Sequence, residues 1–280
     1  MTGIWPGDTR CVVMLGFDVD GPSAMIRRNP AVAEMPSTLS MGDFGPKVAV
    51  PRILELLAKH EVPASFYVPG WVAERHPSTV EAIAQAGHEV AHHGYLHEPP
   101  ASLTREEEAD VLDRGSAILE GLTGQRPVGY RSPSWELSSH SLELLAERGF
   151  LYDSSLMGDD APYLVGGDAG ERRLVEIPVH WTLDDAPFWY FNPAIQRTEV
   201  MATPGHVFEI WSGAFEELYD RGRAFTLTMH PWITGRAGRL RMLDRLIEHI
   251  RGFTSVEFER ADDVARGWAE RAGLQAAGGA

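Results

Sequence analysis

The chain has 280 residues, 44% of them hydrophobic, enough for a sizeable core in one large α/β domain or two small ones. Its 25 Lys and Arg against 40 Asp and Glu give a formal net charge of −15, which makes a nucleic-acid backbone or an anionic membrane surface a poor partner. The single cysteine, Cys11, rules out an intrachain disulfide and a cysteine-based zinc site. The opening "MTGIWPGDTR" has no basic region followed by an apolar core, and no apolar stretch reaches bilayer length, so the expected location is cytoplasmic. The first β-rich run, "CVVMLGF", buries Cys11 as a small apolar residue and ends on Asp18, Asp20 and a Gly-Pro turn. The next segment, Gly21 to Lys47, shows no periodicity and reads as a long functional loop. Helical spacing follows in "VAVPRILELLAKH", then a strand in "PASFYV", a helix in "STVEAIAQAG" closing on Gly87, and a strand in "HEVAHH". "LTREEEADVLDRGSAILEGLTG" opens with a capping-box pair, Thr104 and Glu107. "PVGYR" is a strand, and "SSHSLELLAERG" is a helix with Gly149 just past its end. The strands "FLYDSS", "RLVEIPV", "AFTLTM" and "TSVEFE" and the helices "GHVFEIWSGAFEELYDRG" and "RLRMLDRLIEHIRG" complete the alternation. This pattern predicts an α/β fold with a parallel sheet of seven to eight strands, closed or nearly closed as a barrel. It forms a single domain over 1–270, with 271–280 as a disordered tail.

Barrels carry their chemistry at the C-terminal ends of strands. Asp18 and Asp20 end the first run. Two carboxylates so spaced on an extended chain point the same way and repel unless a cation or a shared proton relieves them. Asp before Gly-Pro is also ordinary turn chemistry. His92, His93 and His97 end the third run, Arg131 the fourth, Asp153 the fifth and His230 the seventh. His93 and His97, four residues apart, would share one face of a helical turn, as a divalent ion requires. An aspartate from a neighbouring strand would complete an Asp-His-His face with positions open for water and substrate. One of the two acids then binds the metal and the other acts as a base. His92 points to the opposite side of its strand and is only a neighbour. His88 opens the strand at the wrong end, and Asp184 and Asp185 read as loop acids.

The stretches "FDVDG", "HHGYLH", "RSPSW" and "LTMH", in this order, resemble the motif series of the polysaccharide deacetylase family, the NodB-homology domain of carbohydrate esterase family four. The resemblance runs from about Trp5 to about Arg271. "GYLHE", "RSPSWELS", "FLYDSSLMGDDAPY" and "VEIPVHWTLDDAPFW" are most similar to its cytoplasmic branch, which includes Helicobacter-type peptidoglycan deacetylase homologues and PuuE-type allantoinases. The resemblance implies a deformed (β/α) barrel, a homotetramer, and a divalent metal, usually zinc, sometimes cobalt or another ion. By position, Asp18 matches the catalytic base, Asp20 the metal aspartate, and His93 and His97 the metal histidines. Arg131 matches the arginine that orients the base, and His230 the histidine that protonates the leaving amine. The chain departs from the pattern at Gly94, where Ser or Thr is usual. It also lacks a clean acidic-tryptophan motif to tune the acid histidine, for which Asp153 is the candidate substitute.

The implied reaction is hydrolysis of a non-peptide amide C–N bond. Backbone N–H groups near Ser134 would stabilise the oxyanion, and Trp135, Trp181 and Trp232 would line the substrate cleft. Three functions fit: hydrolysis of a small cytosolic N-acyl or cyclic amide, N-deacetylation of peptidoglycan or chitin-type N-acetylglucosamine polymers, or ligand binding by a catalytically silent member. The intact Asp-Asp-His-His-Arg-His set argues against the last. The missing export signal and the long 21–47 segment, which could cap a barrel mouth, favour a small-molecule amide over an N-acetyl sugar polymer.

Overall fold

A computed structural model describes residues 4–167 and 173–274. Nine strands occur among them: β1 (Cys11–Asp18), β2 (Ser65–Val68), β3 (Glu89–His92), β4 (Gly129–Tyr130), β5 (Tyr152–Asp153), β6 (Tyr163–Val165), β7 (Leu174–Glu176), β8 (Ala224–Met229) and β9 (Val256–Phe258). Residues 1–3 of the opening stretch and 275–280 of the expected tail lie outside the described residues. The chain divides into two compact units, Met1–Ala64 with His180–Glu259, and Ser65–Val179 with Arg260–Ala280. Among the described residues no helix is long and apolar enough to cross a membrane.

In the first unit β1 is buried along its whole length, as an apolar run without alternation should be in a parallel sheet. It lies between β8 and β9 and runs parallel to both. The register pairs Phe17 with Met229, so Asp18 and His230, the next residues, reach the C-terminal edge side by side. Helices Val50–His60, Pro204–Arg221 and Ala237–Arg251 bury their apolar faces, as their periodicity predicts. The segment expected as a loop between Gly21 and Lys47 is instead largely helical. It folds as Ser23–Arg28, a 3-10 turn Pro30–Glu34, Pro36–Phe44, and a π turn Gly45–Ala49 that runs into the helix Val50–His60. Pro30, Pro36 and Pro46 each stand in a first turn, where the missing N–H is not needed. These restarts break the chain into pieces too short to show a period. Gly42 allows the helix Pro36–Phe44 to press on the turn after β1, because a Cβ there would stand 2.6 Å from Pro22 Cα.

In the second unit β2, β3, β4, β5 and β7 lie in that order and are all parallel. β6 adds antiparallel to β7 and was not expected; three half-buried residues carry too little pattern to read. Helix Arg105–Thr123 has the predicted capping box between Thr104 and Glu107 and ends on Gly124 at φ +72°. Its Gly115 faces the His92 ring so closely that a Cβ would collide with Nε2. Leu112, Tyr130, Leu144, Leu145, Phe150 and Leu174 form a core cluster here. Helix Ala261–Arg271, also unforeseen, takes up the first residue of the expected tail.

Candidate active site

The C-terminal edge of β1 and β8 gathers Asp20, Asp184 and Asp185, all buried, with the half-buried His230, within the first unit. Asp18 ends β1 and is buried as well. The turn after it is tied by Ser23, whose N–H and Oγ–H donate to the Asp20 carbonyl oxygen at 3.0 and 2.7 Å. Asp184 bridges to Thr228 of β8, and the Asp185 N–H donates to the Thr228 carbonyl at 3.2 Å. That anchor sets the Asp185 carboxylate against His230. Oδ1 lies 2.7 Å from Nδ1, while Oδ2 accepts the His230 backbone N–H at 2.9 Å and the Thr234 hydroxyl at 2.5 Å. A carboxylate only accepts, so Nδ1 carries a proton and Nε2 turns toward Asp20, whose Oδ2 is 3.8 Å away. Burial works against the imidazolium, but Asp185, then Asp184 and Asp20, outweigh it and raise His230 well above the ordinary histidine range. Asp184 is pushed up to about 7, by burial first and also by the Asp185 charge, with His230 opposing.

Asp185, read from the sequence as a loop acid, does stand outside the strands, and it pairs with His230, a partner not foreseen from the sequence. The available signal was two adjacent acids in "TLDD" just before a helical turn at Ala186. Asp153, expected as a substitute, has a different set of partners. It stands in register with Glu176 across β5 and β7, so the two side chains share a face and each feels the other electrostatically. Burial raises both, Asp153 to about 6 and Glu176 well above the carboxylate range, where the Asp153 charge adds to the rise. The Ser155 hydroxyl donates to Asp153 at 2.7 Å.

In the second unit His92 pairs with Tyr130, which sets His93 beside Arg131. His93 Nδ1 lies 2.7 Å from the Arg131 carbonyl oxygen. That oxygen only accepts, so Nδ1 carries a hydrogen, which makes Nε2 the nitrogen that could ligate a metal. His93 and His97 do approach, with ring centroids 5.2 Å apart at 83°, but not on a helical turn. A loop brings them together, bent by Gly94 at φ +72° and His97 at φ +58°. Glu98 holds this loop by accepting the N–H groups of Tyr95 and Leu96 at 3.1 and 2.8 Å. The left-handed backbone and a Pro133 Cγ only 3.2 Å from where a Cβ would stand explain glycine at 94. His92 turns into the core against Tyr130 and Phe150, as expected of a strand neighbour, and burial draws its pKa down to about 3.

Arg131 is fully buried. Its Nε and Nη2 donate to the Ser154 carbonyl and hydroxyl at 3.1 and 2.8 Å, and the guanidinium stacks 3.8 Å from the Tyr67 ring centroid. Ser134 and Trp135 are consecutive left-handed residues, at φ +61° and +59°. The Trp135 N–H is committed to the Ser132 carbonyl at 2.9 Å. Trp135 and Trp232 are buried, whereas Trp181 is 46% exposed. The expected site residues are thus divided: Asp18, Asp20, Trp181, His230 and Trp232 belong to the first unit, and His93, His97, Arg131, Ser134 and Trp135 to the second.

A family model for polysaccharide deacetylase matches residues 36–152. The chain is 32% identical to a peptidoglycan deacetylase of Helicobacter pylori over 284 aligned residues, which cover 93% of this chain and 97% of that protein. A Mycobacterium smegmatis protein of known structure superposes with a TM-score of 0.93 at 39% identity, over 100% of this chain and 97% of that one. The solved PuuE allantoinase superposes with a TM-score of 0.83 at 26% identity, over 95% and 92% of the two chains.

Proposed function

The chain belongs to the polysaccharide deacetylase family of amide hydrolases and has its α/β deformed-barrel fold, and from that premise we propose that it is a divalent-metal-dependent hydrolase of a small N-acyl or cyclic amide. The observation that carries the reading is the Asp185–His230 pair, an imidazole locked through Nδ1 on a buried carboxylate with Nε2 turned to Asp20. Such an arrangement stores a proton for a departing nitrogen.

The donor set suits a divalent ion, since the His93 Nδ1 bond to a carbonyl orients the ring so that Nε2 would be the ligating nitrogen, with the His97 ring beside it. Asp20, His93 and His97 would hold the ion, zinc first and cobalt or another divalent ion second. Bound there, it supplies Lewis acidity to the amide carbonyl and to water. Asp18 accepts the proton from the attacking water, and Arg131 orients that carboxylate. His230 donates from Nε2 to the leaving nitrogen, while Asp185 stabilises the imidazolium before transfer.

One comparison favours a small substrate. PuuE allantoinase superposes with a TM-score of 0.83 at 26% identity, whereas a solved peptidoglycan N-acetylglucosamine deacetylase superposes over a similar share of this chain with a TM-score of 0.58 at 19%. The polymer reading keeps support from the full-length match to the Helicobacter pylori peptidoglycan deacetylase. The test is kcat/KM of the zinc-loaded protein on cyclic imides and small N-acyl amides beside chito-oligomers. Turnover of the small amides is expected. Acetate release that rises with oligomer length, without turnover of the small amides, would establish the polymer reading instead.

A further inference from the structure

Five arginines of the first unit stand over aromatic rings without a carboxylate in ion-pair reach among the described residues. Arg28 and Arg197 stand 5.8 and 5.7 Å from the Tyr190 ring, Arg236 and Arg52 stand 3.7 and 5.7 Å from the Phe44 ring, and Arg239 stands 4.9 Å from the Trp189 ring. In a chain with 40 acids and a net charge of −15, unpaired guanidinium groups in one place run against the composition. Arg236 and Arg239 border a cavity of about 450 Å³ walled by Met41, Trp189, Phe191 and Trp232. Phe191 and Met201, also in its wall, are 40% and 49% exposed.

The donors of both arginines are poorly used. Arg236 makes one long bond, Nε to the Trp232 carbonyl at 3.4 Å. Arg239 gives Nη1 to the Ile233 carbonyl at 3.1 Å and Nη2 to the Met201 thioether, a weak acceptor, at 3.2 Å. Burial lowers the pKa of each; Arg52 lowers Arg236 further, and for Arg239 the Asp185 charge opposes burial while Arg236 adds to it. An anion would relieve that repulsion and fill the spare donors.

The cavity lies on the reacting side of the unit. Trp232 is two residues past His230, in the helical turn Pro231–Thr234 that Thr234 ties to Asp185. Its ring meets Tyr190 edge-on at 4.8 Å, and the Tyr190 phenol feels the Asp20 charge. We propose that this cavity receives an anionic, flat, apolar-bodied part of the substrate, with Arg236 and Arg239 gripping a carboxylate- or phosphate-class group. The word substrate rests on the amide-hydrolase reading; binding of the anion does not.

The test is calorimetric titration of the metal-free full chain with benzoate and with neutral benzamide, followed also by Trp fluorescence. Benzoate should bind at least about tenfold tighter, the effect of one charge-assisted hydrogen bond. The double substitution Arg236→Gln/Arg239→Gln should erase that preference. Arg239→Lys, which keeps the charge, should retain part of it and so report a folded cavity, and Arg266→Gln in the second unit should leave it intact. Equal binding of the two probes, or a preference that survives the double substitution, overturns the anion site. With zinc, 4-acetamidobenzoate should then be cleaved with a lower KM than acetanilide. Anion binding without that discrimination overturns the assignment to substrate. Benzoate binding with neither amide cleaved upholds the anion site and sinks the hydrolase reading alone.

Discussion

Replacing Asp185 by Asn should disable His230 as an acid while leaving the fold in place. The Asn carbonyl can keep the position of Oδ2, which accepts the His230 N–H and the Thr234 hydroxyl, so the buried donors stay paired. Its NH2 then faces Nδ1 in place of Oδ1, which sat 2.7 Å away, and the imidazolium loses its charged partner. A hydrogen bond to a charged group contributes about 1.5–3 kcal/mol. Losing that bond should lower the His230 pKa, since the charge of Asp185 is the largest cause holding it up. Folding raises this group in the wild-type protein, so its protonated form persists to higher pH. The variant should therefore lose its alkaline limb at lower pH, and hydrolysis of an amide with a poor leaving nitrogen should drop about 100-fold, within the range for general acids. The assay combines an NMR titration of the His230 ring with pH–rate profiles on an amide and on an activated ester, which needs no protonated leaving group. An unshifted titration, or equal losses on both substrates, would refute the reasoning.

Further outcomes follow from the same geometry. His93→Ala or His97→Ala should abolish stoichiometric divalent metal by elemental analysis with an unchanged circular dichroism spectrum; full metal content in either would remove these residues from the ligand set. Asp18→Asn should keep its metal and lose about 100-fold or more in kcat/KM; a loss of only a few-fold would leave Asp18 a structural turn residue. Gly115→Ala forces a methyl group into the buried His92 ring and should cost about 1–3 kcal/mol in urea unfolding; a wild-type midpoint would show that the ring can yield. Glu89 is buried and its folded pKa is raised from 4.5 to about 8, by burial first and then by Asp262. The folded state thus holds the extra proton, and stability should be complete below the unfolded value and fall as pH rises through about 8. Glu89→Gln should flatten that fall in a series of Tm measurements, and an unchanged slope would assign it to other groups.

Most of the architecture was legible because it is written in local terms. Eight apolar runs became strands and the capping pair Thr104 and Glu107 started its helix where predicted, since both signals depend on neighbours a few residues apart. The segment from Gly21 to Lys47 misled because three prolines restart its helices before a period can show. β6 and the helix Ala261–Arg271 were missed, the strand for want of length.

The residue types of the candidate site could be listed from the sequence, because strand ends in an α/β sheet are where ionisable groups collect. Their pairing could not. Asp185 lies 45 positions from His230 and reaches it through a backbone anchor on Thr228; Asp153 looked as suitable on paper but aligns instead with Glu176. His93 and His97 meet through two left-handed residues rather than a helical turn, a geometry that spacing alone cannot announce. Motif chemistry travels with the chain, whereas the partner of each side chain is set by strand register and loop curvature, which depend on contacts between residues far apart in sequence.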